Sequence, residues 1–81
     1  MKVAIIGAGY VGLPTAVGLA EYGHDIVLVE ANWKTFKNLN KGILHLYEAG
    51  LQELFDKNRH KIIITNEMSA VMMADIIILA V

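Results

Sequence analysis

Residues 1–30 read MKVAIIGAGYVGLPTAVGLAEYGHDIVLVE, and their order decides the fold. Val3-Ala4-Ile5-Ile6 is an apolar run without polar alternation, the pattern of a central parallel strand covered on both faces. The run stops at Gly7, and Gly7-Ala8-Gly9-Tyr10-Val11-Gly12 follows as GxGxxG. From about Val11 to Tyr22, Leu13, Ala16, Val17, Leu19 and Ala20 recur at helical spacing, and Gly23 supplies the stop. Pro14 falls in the first turn, where its missing N–H leaves no intrahelical bond unmade. A second apolar run, Ile26-Val27-Leu28-Val29, is closed by Glu30, 18 positions beyond Gly12. Strand, glycine turn, helix, strand and terminal acid follow in the order of a dinucleotide-binding βαβ unit.

Each residue of that motif has a physical task. Gly7 turns the chain out of the strand, Gly9 keeps a side chain away from an approaching pyrophosphate, and Gly12 lets the helix pack closely. The backbone N–H groups near Tyr10 and Val11 then face the anion, with no chemistry assigned to the Tyr10 ring. The helix N-terminus carries about half a positive charge, so phosphate binds without a Lys or Arg in the loop. Glu30 is expected to accept hydrogen bonds from the adenosine ribose hydroxyls. A 2′-phosphate about 4 Å from that carboxylate would meet a repulsion of about 4 kcal/mol per unit charge at an effective dielectric near 20. Gly7, Gly9, Tyr10, Val11, Gly12 and Glu30 are therefore the candidate cofactor-binding residues, with NAD preferred over NADP and Lys34 offsetting part of the preference.

Working outward, Asn32 caps a second helix whose Trp33, Phe36 and Leu39 form a stripe read as core, and Gly42 ends it. Ile43 to Tyr47 is a connecting segment too apolar to lie free. A third helix is expected from Glu48 to about Lys57 with Leu51, Leu54 and Phe55 inward. Lys61–Thr65 reads as a third strand, and Ile76–Val81 as a fourth. Between them a short helix around 67–73 carries Met68, Met72 and Met73, read as core filling. Solid apolar strands alternating with helices imply an α/β fold: a Rossmann-like, doubly wound parallel sheet with helices on both faces, strand order 3-2-1-4.

Composition narrows function. Seven basic and eight acidic residues give a net charge of -1, so no basic footprint for nucleic acid exists. No apolar run is long enough for a signal core or membrane span, and a cytoplasmic setting is the default. The chain has no cysteine, which removes disulfides, thiolate zinc sites and a cysteine nucleophile from these 81 residues. His24, His45 and His60 share no ligand spacing, so no metal is expected. Glu53 and Asp56 read as a solvated helical face, leaving no catalytic residue to nominate.

The first 30 residues closely resemble the N-terminus of the UDP-glucose/GDP-mannose dehydrogenases. The resemblance continues through Asn40-Lys41-Gly42, Tyr47-Glu48-Ala49-Gly50-Leu51 and Ala74 to Val81. Those enzymes oxidise the primary alcohol of a nucleotide sugar to the uronate in two NAD-dependent steps. By resemblance, the Val11 backbone and the Glu30 side chain touch NAD, although the family acid is usually aspartate. The family lysine at the position of Thr35, and its prolines at the positions of His45 and Ala49, are missing. The resemblance also implies a UDP-sugar substrate in a full-length parent, with the catalytic cysteine and lysine beyond Val81. Hydroxyacyl-CoA and 6-phosphogluconate dehydrogenases share the glycine pattern but not the YExGL element.

With 56% hydrophobic residues, the chain holds more apolar material than its size can hide. We therefore expect only the first half of a Rossmann domain, one NAD-binding unit over residues 1–81, inactive alone. Its fourth strand, Ile76 to Val81, is left as an open edge suited to forming a homo-oligomer. A structural, self-associating chain that binds no ligand is the alternative from another class.

Overall fold

The computed structural model describes all residues Met1–Val81. Four strands, β1 (Lys2–Ile6), β2 (Asp25–Val29), β3 (Ile62–Thr65) and β4 (Ile76–Leu79), alternate with helices α1 (Gly12–Glu21), α2 (Trp33–Asn40) and α3 (Leu51–Asn58). Short 3-10 turns at Arg59–Lys61 and Met68–Met73 precede β3 and β4. The strands form one parallel sheet in the order β3-β2-β1-β4, as expected for right-handed crossovers.

Register divides the apolar runs between two faces. Val3 pairs with Ile26 and Ile76, Ile5 with Leu28 and Ile78, and Ile26 and Leu28 with Ile62 and Ile64. Residues in register across parallel strands share a face, so these eight form one layer. Leu13, Ala16, Val17 and Ala20 of α1, Leu39 of α2 and Phe55 of α3 close over it as the main core. Fully burying each large side chain contributes about 1.5–3 kcal/mol. The connecting segment joins this core by alternation: Leu44 and Leu46 pack inward while Ile43, His45 and Tyr47 stay exposed.

The opposite face is thinly covered. Ala4, Val27 and Val29 meet only Ile6, Ala70, Val71 and Ala74. Met68, Met72 and Met73 were expected as core filling, yet all three are exposed, Met72 by 85%. Ala70, Val71 and Ala74 supply the contacts with the sheet here, and their small side chains let the backbone lie close to it. The thioether side chains point away.

Two other expectations are corrected. Trp33 is 61% exposed rather than core, since burial in α2 lies toward its C-terminal end, where Phe36 is partly and Leu39 fully buried. The third helix begins at Leu51 rather than Glu48. Gly50 takes a φ of +81°, a left-handed conformation that interrupts a right-handed helix. Within α3 the buried stripe is Leu51, Phe55 and Asn58, and Leu54 sits on its exposed rim.

Polar groups complete the packing. The Asn32 side chain accepts from the Thr35 N–H at 3.0 Å, capping α2 as expected. Buried Asn58 donates to the Leu54 carbonyl at 3.0 Å and to Glu21 Oε1 at 3.1 Å, tying α3 to α1. That amide, then the Lys57 ammonium, hold the Glu21 carboxyl below its usual pKa. No helix is long and apolar enough to cross a membrane.

Candidate functional site

The glycine loop leaves the carboxyl end of β1, the central strand, and enters α1. Gly7 takes a φ of +103°, and its N–H donates to the Val29 carbonyl at 2.8 Å. A Cβ there would stand 2.7 Å from the Ala80 carbonyl oxygen. Gly7 is thus required by its backbone angle and by the closeness of the residue that follows β4. A Cβ on Gly12 would fall 1.6 Å from the Gly7 carbonyl oxygen. The first turn of α1 rests on the turn that leaves the strand, which is what the third glycine permits.

Gly9 differs from both. A Cβ on it meets nothing within 4 Å, and its φ is not positive. The protein itself therefore does not require glycine here. The free space lies on the outside of the loop, where Tyr10 and Val11 are also exposed. The N–H groups of Gly9, Tyr10 and Val11 donate to no protein acceptor, while Leu13 and Thr15 return the first helical bonds to the Gly9 and Val11 carbonyls at 3.1 Å each. Open donors at the start of a ten-residue helix form an anion-binding arrangement.

Glu30 follows β2 directly, and its N–H donates to the Thr65 carbonyl at 2.9 Å. Its carboxylate lies at the loop. Oε1 accepts from the Ala8 N–H at 2.9 Å, and Oε2 from the Asn32 N–H at 2.8 Å. One side chain therefore fastens the glycine loop to the start of α2. Each oxygen keeps further acceptor capacity for a hydroxyl. Sequence spacing alone does not point to Ala8 and Asn32 as its partners. The available signal was the methylene by which Glu exceeds Asp, enough reach to span the gap to the loop.

The six candidate residues are thus brought together at the carboxyl ends of β1 and β2, where ligands of open α/β sheets bind. A concavity of about 430 Å³ lies elsewhere, around Gly42–Leu44, Leu46–Glu48 and Gln52. It includes none of the loop residues. An extended dinucleotide needs a crevice with aligned donors, so the geometry of the loop carries more weight than the volume of that hollow.

Known proteins resemble this chain over essentially its whole length. One UDP-glucose 6-dehydrogenase of Bacillus subtilis and the UDP-glucose 6-dehydrogenase of Rhizobium meliloti are each 37% identical to it, over 83 and 84 residues. The alignments cover 99% and 100% of this chain but 18% and 19% of those enzymes. Among solved structures, GDP-mannose dehydrogenase from Pseudomonas aeruginosa superimposes with a TM-score of 0.92 at 28% identity. The UDP-N-acetyl-mannosamine dehydrogenase of Staphylococcus aureus gives 0.91 at 31%. Both structures are matched over 100% of this chain and 19% of their own. The chain thus spans about a fifth of the length of these relatives. The model of the NAD binding domain of the UDP-glucose/GDP-mannose dehydrogenase family matches residues 1–81, and the chain belongs to that family.

Proposed function

We propose that this chain binds NAD through the Gly7–Gly12 loop and Glu30, as the cofactor-binding portion of a nucleotide-sugar dehydrogenase. The observation that carries the reading is the open loop: unmatched N–H donors beside a glycine whose missing side chain serves nothing within the protein. The Gly9, Tyr10 and Val11 amides take the pyrophosphate oxygens. Glu30 takes the adenosine ribose hydroxyls while keeping the loop in place. When bound, NAD supplies the hydride acceptor for oxidation of the sugar alcohol, the activity of the parent. By itself the chain is inactive, because oxidation through a thiol-bound intermediate needs a cysteine and the chain has none.

Calorimetric titration tests this. NAD and ADP-ribose are expected to release heat with similar affinities, and NADP to bind at least about tenfold more weakly because its 2′-phosphate meets Glu30. Absence of heat with all three at millimolar ligand would overturn the binding claim.

The β4 edge favours a second reading, self-association. Ala80 N–H bonds to the Ile6 carbonyl. Since alternate residues of a strand face opposite ways, the Ile77, Leu79 and Val81 backbone groups turn away from β1. Those three side chains are exposed, Leu79 by 69%, and Ile76–Val81 has no charge or proline to discourage strand pairing. Light scattering at rising concentration should detect a dimer that Leu79→Lys dissociates. A wild-type chain that stays monomeric at high concentration would exclude this reading.

A further inference from the structure

Trp33 is the sole tryptophan of the chain, and it stands at the first position of α2. The residue before it, Asn32, gives its N–H to Glu30 Oε2, while Oε1 of the same carboxylate holds the Ala8 N–H. Glu30 therefore links the phosphate loop to the turn from which the indole projects. The ring is open to solvent yet restrained. Phe36, one helical turn on, lies 5.5 Å away with planes inclined by 39°, and the Lys37 ammonium is 5.9 Å from the ring centroid. A large aromatic held from one side and uncovered on the other is already organised for a flat partner, so little rotamer freedom is lost on binding.

We propose that Trp33 is the platform on which the adenine of the dinucleotide stacks. The inference rests on the reading of the glycine loop and Glu30 as an NAD site. A ribose held by its hydroxyls at Glu30 carries its base within one sugar ring of that carboxylate, which itself binds the turn 31–33 through the Asn32 N–H. Adenine is a planar heteroaromatic, and the exposed indole is the only large aromatic surface at this turn. Stacking of a base on an aromatic side chain is lost on substitution by alanine at a cost of about 5- to 150-fold in affinity.

The single tryptophan makes the test direct. Titrating the full chain with NAD and with ADP-ribose, indole emission is expected to change with both, saturating at the affinity found by calorimetry. ADP-ribose lacks nicotinamide, so an equal response to it excludes nicotinamide as the source and is the response adenine stacking requires. Trp33→Ala is expected to weaken ADP-ribose at least about fivefold, with Trp33→Phe recovering part of the loss. If wild-type heat is normal but emission is unchanged by either ligand, the platform is overturned and the NAD reading stands. Emission responding to NAD but not ADP-ribose overturns it equally. If no ligand releases heat with the wild type, both fall. The emission arm uses the unaltered chain and does not depend on any variant folding.

Discussion

Replacing Gly12 by alanine is expected to lower the melting temperature by on the order of 15–20 °C or to prevent folding. The reason is a single added carbon. Its position, 1.6 Å from the Gly7 carbonyl oxygen and 2.8 Å from the Gly7 carbonyl carbon, lies far inside any tolerable separation. Both obstructing atoms are backbone, so no side chain can swing aside. Relief requires the first turn of α1 to move off the strand exit. That motion pulls Leu13, Ala16 and Val17 away from the main core, in which each is fully or almost fully buried. A cost of about 3 kcal/mol or more is a large share of the roughly 4–12 kcal/mol that a domain of this size holds. Gly18→Ala provides the control. It lies in the same helix, its added carbon meets nothing within 4 Å, and by propensity alone it should stabilise by about 0.5–1 kcal/mol. Thermal melts followed by circular dichroism compare the two. A Gly12→Ala protein melting within a few degrees of wild type would show that the close approach at Gly7 is not structural.

The same turn shows what the sequence made legible. Val3–Ile6 and Ile26–Val29 read as strands because they are short, β-branched apolar runs closed off by Gly7 and Glu30. GxGxxG between them marks the strand-to-helix turn, and right-handed crossovers then leave the observed strand order as the natural one. Cover is a different matter. Trp33, Phe36 and Leu39 share helical spacing, which identifies a face but not how far the sheet extends beneath it. Leu39, near the far end of the helix, is buried and Trp33 is not. Met68, Met72 and Met73 carry the same ambiguity, and it is Ala70, Val71 and Ala74 that lie against the sheet instead. Polar links across the fold were the least visible. The reach of Glu30 to the Ala8 amide joins residues 22 apart, and it exists only because two strand ends lie side by side.

Gly9→Val is expected to leave folding intact and to weaken NAD by about 100-fold or more. It therefore separates ligand binding from every structural role of the loop. Nothing in the protein approaches the missing Cβ within 4 Å, and the backbone there is not left-handed, so the variant should melt within a few degrees of wild type. A branched side chain would instead fill the approach to the Gly9, Tyr10 and Val11 amides. Losing even two hydrogen bonds to a charged pyrophosphate, at about 1.5–3 kcal/mol each, exceeds the roughly 2.7 kcal/mol that corresponds to 100-fold. Calorimetry with NAD and light scattering, performed on one preparation, read the two proposed properties independently. Binding should disappear while any dimer formed through β4 persists, because Leu79 and its neighbours stand on the far side of β1 from β2 and Glu30. NAD affinity unchanged by Gly9→Val would mean that the pyrophosphate does not lie on this loop, whatever the chain otherwise binds.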